Sequence, residues 1–131
     1  MLKVLIADDE EKICQLIIKL INWEEMGLKI AATASNGIEA LEQAKIWKPE
    51  ILITDIRMPG IDGMELIRKV KEKLPDTEII IISGYRHFEY AQTAIRYGVR
   101  NYLLKPIKKE ELRDTLQKIA DIYREKNEQL N

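Results

Sequence analysis

Five short apolar runs punctuate the chain: Val4–Ala7, Ile30–Ala34, Ile51–Ile53, Ile79–Ile82 and Tyr102–Leu104. The strong ones do not alternate polar with apolar side chains, and strands of that kind are covered on both faces, as in a parallel sheet. Between the runs the spacing turns helical. Ile13, Leu16, Ile17 and Leu20 make the first stripe, and Ile38, Leu41 and Ala44 follow Asn36-Gly37. Leu66, Ile67 and Val70 follow Gly63, while Ala91, Ala94 and Ile95 lead to Gly98, a helix stop. Leu112, Leu116, Ile119 and Tyr123 form the last stripe. Strand and helix alternate five times, which predicts a doubly wound α/β domain with right-handed crossovers.

Composition narrows the reading. A chain of 131 residues suits one domain with a real core. With 46% hydrophobic and 33% charged residues it has a folded rather than a disordered balance. Twenty-one basic side chains against 22 acidic ones leave a net charge of −1, which argues against a self-contained nucleic-acid binder. No apolar run approaches the ~20 residues that span a bilayer. The run before Asp8 is too short for a signal-peptide core and ends in acid. Cys14 is the only cysteine, so no internal disulfide or thiolate cluster forms, which fits a reducing cytoplasm. It aligns with Ile17, Ile18 and Ile21 and reads as a small core residue.

In an open parallel sheet ligands gather outside the carboxyl ends of the strands. There the first run ends in Asp8-Asp9, the third in Asp55, the fourth in Ser83-Gly84 and the fifth just before Lys105-Pro106. Taken alone, Asp8, Asp9 and Glu10 read as a helix cap with acid in the first turn. Ser83-Gly84 alone reads as a strand-ending turn, and Arg57-Met58-Pro59-Gly60 as a loop. Together, three carboxylates at adjacent strand ends repel one another unless a cation is present. Hard oxygen ligands suit Mg²⁺, and Lys105 can balance a phosphoryl oxygen.

The combination is more specific than its parts. Asp-Asp after strand one, Asp55-Ile56-Arg57-Met58-Pro59-Gly60-Ile61-Asp62-Gly63 after strand three, Ser83-Gly84 after strand four and Lys105-Pro106 after strand five resemble a response-regulator receiver domain over residues 2 to about 122. The resemblance implies a (βα)5 flavodoxin-like fold with strand order 2-1-3-4-5. It further implies a Mg²⁺-dependent phosphoacceptor in two-component signalling that takes its phosphoryl group from a sensor histidine kinase. On this match Asp55 is the phosphorylated aspartate, and Asp8 and Asp9, with Asp55 and the backbone carbonyl of Arg57, hold Mg²⁺. Ser83 is the hydroxyl, Lys105 the lysine and Tyr102 the aromatic switch residue; Met58, Gly84, Arg57 and Tyr85 line the phosphoryl group. Ser83 is expected to move toward that group and Tyr102 to turn inward, changing the face of the fourth helix, fifth strand and fifth helix. As an ordinary residue Tyr102 is a core aromatic.

A narrower resemblance lies in Asn22-Trp23-Glu24-Glu25-Met26-Gly27, in Thr54 to Pro59, in Ser83-Gly84-Tyr85 and in Phe88-Glu89-Tyr90-Ala91, which look like receivers of AraC-type transcription regulators. There a helix-turn-helix output domain binds DNA. Here the chain stops at Asn131, so residues 1–122 are expected to be the receiver and 123–131 an extension of the last helix toward an output domain. Leu130 continues the stripe of that helix, which reads either as a signalling linker or as a solvated end. DNA contact is expected only through the output domain, with no membrane partner, and a homodimer on phosphorylation is compatible with the match. Arg57 and Tyr85 are large where side chains border the path of hydrolytic water, and would lengthen the acyl-phosphate lifetime. His87, the only histidine, reads as a surface or capping residue.

Other functions fit less well. A phosphatase with an aspartate nucleophile wants a second carboxylate two residues on, where Arg57 stands. A dinucleotide site wants glycines after strand one, where Asp8-Asp9-Glu10 would repel pyrophosphate. A receiver-like domain that never accepts phosphate would not need the full set of Asp8, Asp9, Asp55, Ser83 and Lys105. Residues 107–131 carry six basic and six acidic side chains, a mixed surface rather than a DNA-binding stripe.

Overall fold

A computed structural model of the chain describes residues 1–84 and 88–130, with Phe88, Gln129 and Leu130 described by their backbone. Five strands, β1 (Leu2–Ala7), β2 (Leu28–Ala34), β3 (Ile51–Thr54), β4 (Glu78–Ser83) and β5 (Asn101–Leu104), form one parallel sheet in the order β2-β1-β3-β4-β5. The intervening helices are α1 (Glu11–Leu20), α2 (Gly37–Trp47), α3 (Gly63–Lys73), α4 (Phe88–Arg96) and α5 (Lys109–Leu130). This is the doubly wound fold and strand order expected above.

Successive side chains of a strand face opposite ways, so each central strand feeds two cores. Val4, Ile6, Ile51, Ile53, Ile80 and Ile82 pack under α1 and α5 with Ile17, Leu112, Leu116 and Ile119. Leu5, Ala7, Leu52, Ile79 and Ile81 pack under the other helices with Ala40, Ala44, Leu66, Ile67, Val70 and Ala94. That double burial is why these runs lack alternation. β2 and β5, at the edges, are only partly covered.

Three of the helical stripes are redrawn. Leu16 and Ile18 of α1 are exposed, and the buried positions are Cys14 and Ile17. In α2 Ile38 faces solvent while Gly37, Ala40 and Ala44 are buried. In α4 Ile95 is 78% exposed and Ala94 takes the core position. Small side chains let these helices approach the sheet closely. The last stripe holds: Leu112, Leu116 and Ile119 are fully buried, and Tyr123 is half-buried. Gly98 ends α4 with φ 72°, its N–H donating to the Ile95 carbonyl and the Val99 N–H to that of Ala94. A short 3₁₀ turn, Glu24–Met26, precedes β2, where the Trp23 indole donates to the Ile18 carbonyl at 3.0 Å.

Candidate phosphoryl-acceptor site

The sheet register assembles the site. Ala7 pairs with Thr54, so Asp8 and Asp55 emerge side by side, and the ladder runs one bond further: the Asp8 N–H donates to the Ala34 carbonyl and the Asp55 N–H to that of Ala7. Ser83 pairs with Leu104, and the Lys105 N–H donates to the Ser83 carbonyl at 2.8 Å. The residue after each of three strands is thus fixed by strand geometry rather than by a loop, which is the precision a charge cluster needs. The Lys105–Pro106 peptide is cis.

The side chains meet at one ammonium. Lys105 Nζ lies 2.8 Å from Asp55 Oδ2 and 3.2 Å from Asp8 Oδ2. The other oxygens take backbone donors: the Ile56 N–H reaches Asp55 Oδ1 at 2.6 Å, and the Glu10 N–H reaches Asp8 Oδ1 at 2.9 Å. Asp8 and Asp55 are almost wholly buried, at 2% and 6% exposure, whereas Asp9 is exposed. The helix-cap reading of Asp8 gives way here, because α1 starts at Glu11 with no side-chain cap and the Asp8 carboxylate bonds one residue ahead of it.

Oxygens of Asp8, Asp9 and Asp55 lie within 4.8 Å of one another. Three carboxylates against one ammonium leave two formal negative charges in excess at a partly buried spot. That is an all-oxygen, doubly anionic set, and it fits a hard divalent cation such as Mg²⁺. The protonation tendencies agree. Burial, countered by the Glu10 N–H and Lys105 and reinforced by the Asp55 charge, raises the Asp8 pKa. Burial alone would lower that of Lys105, but the hydrogen bond to Asp55 and the charges of Asp55 and Asp8 outweigh it, and it is raised.

Around the cluster the backbone is tight. The Thr54 hydroxyl donates to the Asp55 carbonyl at 2.8 Å, and the Gly63 N–H to the Ile56 carbonyl at 2.6 Å. A Cβ on Gly63 would collide with the Asp55 carbonyl oxygen, so only glycine allows α3 to begin against the end of β3. Thr54 and Gly63 are support that the reading of the strand ends missed. The signal was the Asp62-Gly63 pair seven and eight residues after Asp55, quoted there only as part of a motif and as the start of a helix.

The other expected residues divide. Ser83 is completely buried on β4, and its side chain hydrogen-bonds the phenol of the half-buried Tyr102, so the two residues expected to form a switch are in contact. Gly84 and Arg57 are exposed, while Met58 is buried with the core residues on the α2 and α3 side. Tyr85 and His87 lie outside the described residues, as does the side chain of Leu130. Cys14 is buried with its Sγ 3.8 Å from the Asp8 carbonyl, and burial first, then the Asp8 charge, pushes its thiol up to about 11, so it stays protonated in the core. No helix among the described residues is long and apolar enough to cross a membrane.

A parallel 2-1-3-4-5 sheet whose carboxyl edge holds a buried acidic cluster bridged by a lysine defines a class, and the chain belongs to it: it is a member of the response regulator receiver domain family, whose pattern matches residues 4–117. It is a signalling domain rather than a conventional enzyme. It is 43% identical over 126 residues to the uncharacterized transcriptional regulatory protein YesN of Bacillus subtilis, covering 95% of this chain and 34% of that protein. It is 36% identical over 129 residues to the transcriptional regulatory protein HptR of Staphylococcus aureus, covering 98% of this chain and 50% of that one. The chain therefore spans a third to a half of these relatives. Among solved structures it resembles the REC domain of AraT, a response regulator from Geobacillus stearothermophilus, with a TM-score of 0.91 and 41% identity, covering 96% of this chain and 98% of that one.

Proposed function

We propose that Asp55 accepts a phosphoryl group from a phosphohistidine of a sensor kinase and that the modified domain controls a DNA-binding output domain in the cytoplasm. The observation that carries this reading is the Lys105 ammonium between Asp55 Oδ2 and Asp8 Oδ2. It offers a positive charge to whatever anion forms on Asp55. In the transfer a carboxylate oxygen of Asp55 forms the new O–P bond as the N–P bond breaks, and the imidazole leaves with the electron pair. Asp8, Asp9 and Asp55, with the backbone carbonyl of Arg57, would hold Mg²⁺, which when bound supplies charge balance for the phosphoryl oxygens.

The contact between Ser83 and Tyr102 supports a switch in the same place. A phosphoryl oxygen on Asp55 competes for the Ser83 hydroxyl, and Tyr102 must then repack. Because Tyr102 sits on β5 beside α4, the change reaches the face of α4, β5 and α5, where a homodimer or an output domain would read it. Residues 1–122 serve as the receiver, and the end of α5 leads toward the output. Arg57 beside the site slows hydrolysis of the acyl phosphate.

Incubation with Mg²⁺ and acetyl phosphate, followed by intact mass, tests the reading. One slowly lost phosphoryl mass, absent in Asp55→Asn, is the expected result. Rapid turnover with no accumulated adduct would mean a phosphatase instead, and no reaction would mean a purely structural domain.

A further inference from the structure

Away from the acidic edge, α2 and α3 enclose a small groove. Its floor is Leu41 and Ala44 of α2 with Val70 and Leu74 of α3, and its rim is Lys45, Lys48, Lys69 and Lys73. The cavity measures about 180 Å³. The lysines follow from helical spacing: 41, 44, 45 and 48 share one face of α2 and its cap, and 69, 70, 73 and 74 share one face of α3 and its end. Two basic faces thus meet over one apolar seam.

Like charges are not expected to gather without something to offset them. Lys45, Lys48 and Lys73 are exposed on the same rim, and the nearby Lys45, then the Lys69 charge, lower the Lys73 pKa against the opposing pull of Glu72. The carboxylates nearest on α3 are already engaged: Glu65 and Glu72 both bind Arg68, the latter at 2.7 Å. Lys69 has a long contact to Glu65 at 3.8 Å. Among the described residues, Lys45, Lys48 and Lys73 have no ion-pair partner. Lys48 holds its place in a left-handed conformation, φ 48°, with its N–H on the Ala44 carbonyl at 2.9 Å.

We propose that this groove binds a small amphiphilic anion, a carboxylate or phosphate monoester with a short hydrocarbon tail. The head would bridge Lys45 and Lys73, and the tail would lie on Leu41, Val70 and Leu74. Charge complementarity selects the sign of the ligand. The apolar floor selects a tail, and the cavity, smaller than a typical drug-sized pocket, keeps that tail short. The site lies outside the acidic cluster and does not depend on phosphoryl transfer.

The probes are hexyl phosphate and hexanoate, with hexanol and inorganic phosphate as controls, followed by amide chemical shifts of the wild-type domain. Saturable shifts confined to 41–48 and 69–74 are expected with both anions at millimolar concentration. The double variant Lys45→Gln/Lys73→Gln should weaken both by about tenfold or more, while its thermal midpoint and its reaction with acetyl phosphate stay as in the wild type. Equal binding of hexanol would show that the charges select nothing, and equal binding of inorganic phosphate that the floor contributes nothing. Either result overturns the proposal. So would unmoved amides, which would leave the lysines merely shading the seam with their methylene stems. Lysine-dependent sedimentation with phosphatidylglycerol vesicles in the absence of hexyl phosphate binding would point to a membrane surface and would equally overturn it.

Discussion

At the amino ends of the strands, polar groups are neutral or have hydrogen-bond partners. The Thr77 hydroxyl donates to the Pro49 carbonyl at 2.7 Å, the Tyr123 phenol donates to the Asp76 carbonyl at 2.6 Å, and Glu50 Oε1 accepts the Lys3 N–H at 2.8 Å. At the carboxyl ends of the same strands three carboxylates gather, and two of them, Asp8 and Asp55, share one ammonium. The same sheet therefore has one end where polarity is satisfied and one where charge is in excess. Matched groups serve stability, whereas the unmatched excess is tolerated where a ligand or a modification will answer it. If so, removing a charge from the acidic cluster should have the opposite sign to removing a matched polar group at the amino end.

The largest expected effect checks that the carboxyl end is not simply loose. Gly63→Ala would press a methyl group against the Asp55 carbonyl and the Ile56 Cα, both backbone atoms with little room to yield. Urea denaturation should show a loss of about 3 kcal/mol, and reaction with acetyl phosphate should fall with it. A neutral result would mean that α3 does not hold Asp55 in place. Next in size is Thr77→Val at the amino end. It keeps the shape but leaves the buried Pro49 carbonyl without its donor, at a cost of about 1–3 kcal/mol in the same assay.

The carboxyl end was the more legible of the two in the sequence. Strand ends in a parallel sheet converge, so Asp8, Asp55, Ser83 and Lys105 could be placed together from four apolar runs alone, and register then fixed the contacts. Helix faces were less legible. A stripe of large aliphatics picked out Leu16, Ile38 and Ile95, but α2 and α4 turn small residues, Ala40, Ala44 and Ala94, toward the sheet, and their isoleucines face solvent. Spacing cannot show how closely a helix approaches. The amino-end bonds from Thr77 and Tyr123 join residues 28 and 47 positions apart and have no local signature. The lysine groove was invisible for the same reason, since each helix contributes half of it.

Asp8→Asn carries the opposite sign. Burial raises the Asp8 pKa in the folded chain, so the folded state binds a proton there more readily than the unfolded state. The stability this provides is complete below the ordinary carboxylate pKa and is lost as pH rises through the raised folded value. At neutral pH the wild-type domain therefore has a buried charge that costs it stability. Asparagine removes that charge and leaves Lys105 with Asp55. A gain on the order of 1 kcal/mol is expected at pH 7, shrinking toward zero in acid. Added Mg²⁺ should raise the wild-type thermal midpoint by linkage and raise that of the variant less. A destabilised variant at pH 7 would break the contrast between the two ends.

The smallest effect at neutral pH lies at the proposed switch. Tyr102→Phe removes the phenol that hydrogen-bonds Ser83 and keeps the ring among the residues of the α4 side. One net hydrogen bond is worth about 0.5–1.5 kcal/mol, and the loss should be visible in urea at pH 7. The alkaline limb sharpens the test. Burial, opposed by the Ser83 bond and reinforced by the charges of Asp55 and Tyr90, raises the Tyr102 pKa, so its contribution is present below the ordinary phenol value and is lost as pH rises through the folded one. Tyr123 follows the same rule at the other end, pushed up to about 12 by burial and by Glu78, Glu50 and Asp76. Raising the pH should thus narrow the gap between Tyr102→Phe and wild type, because the phenol being compared is itself failing, while the Tyr123 contribution falls equally in both. A gap that stays constant through the alkaline range would show that the folded surroundings do not raise the phenol pKa, and no gap at pH 7 would show that the Tyr102 hydroxyl does not stabilise the resting arrangement.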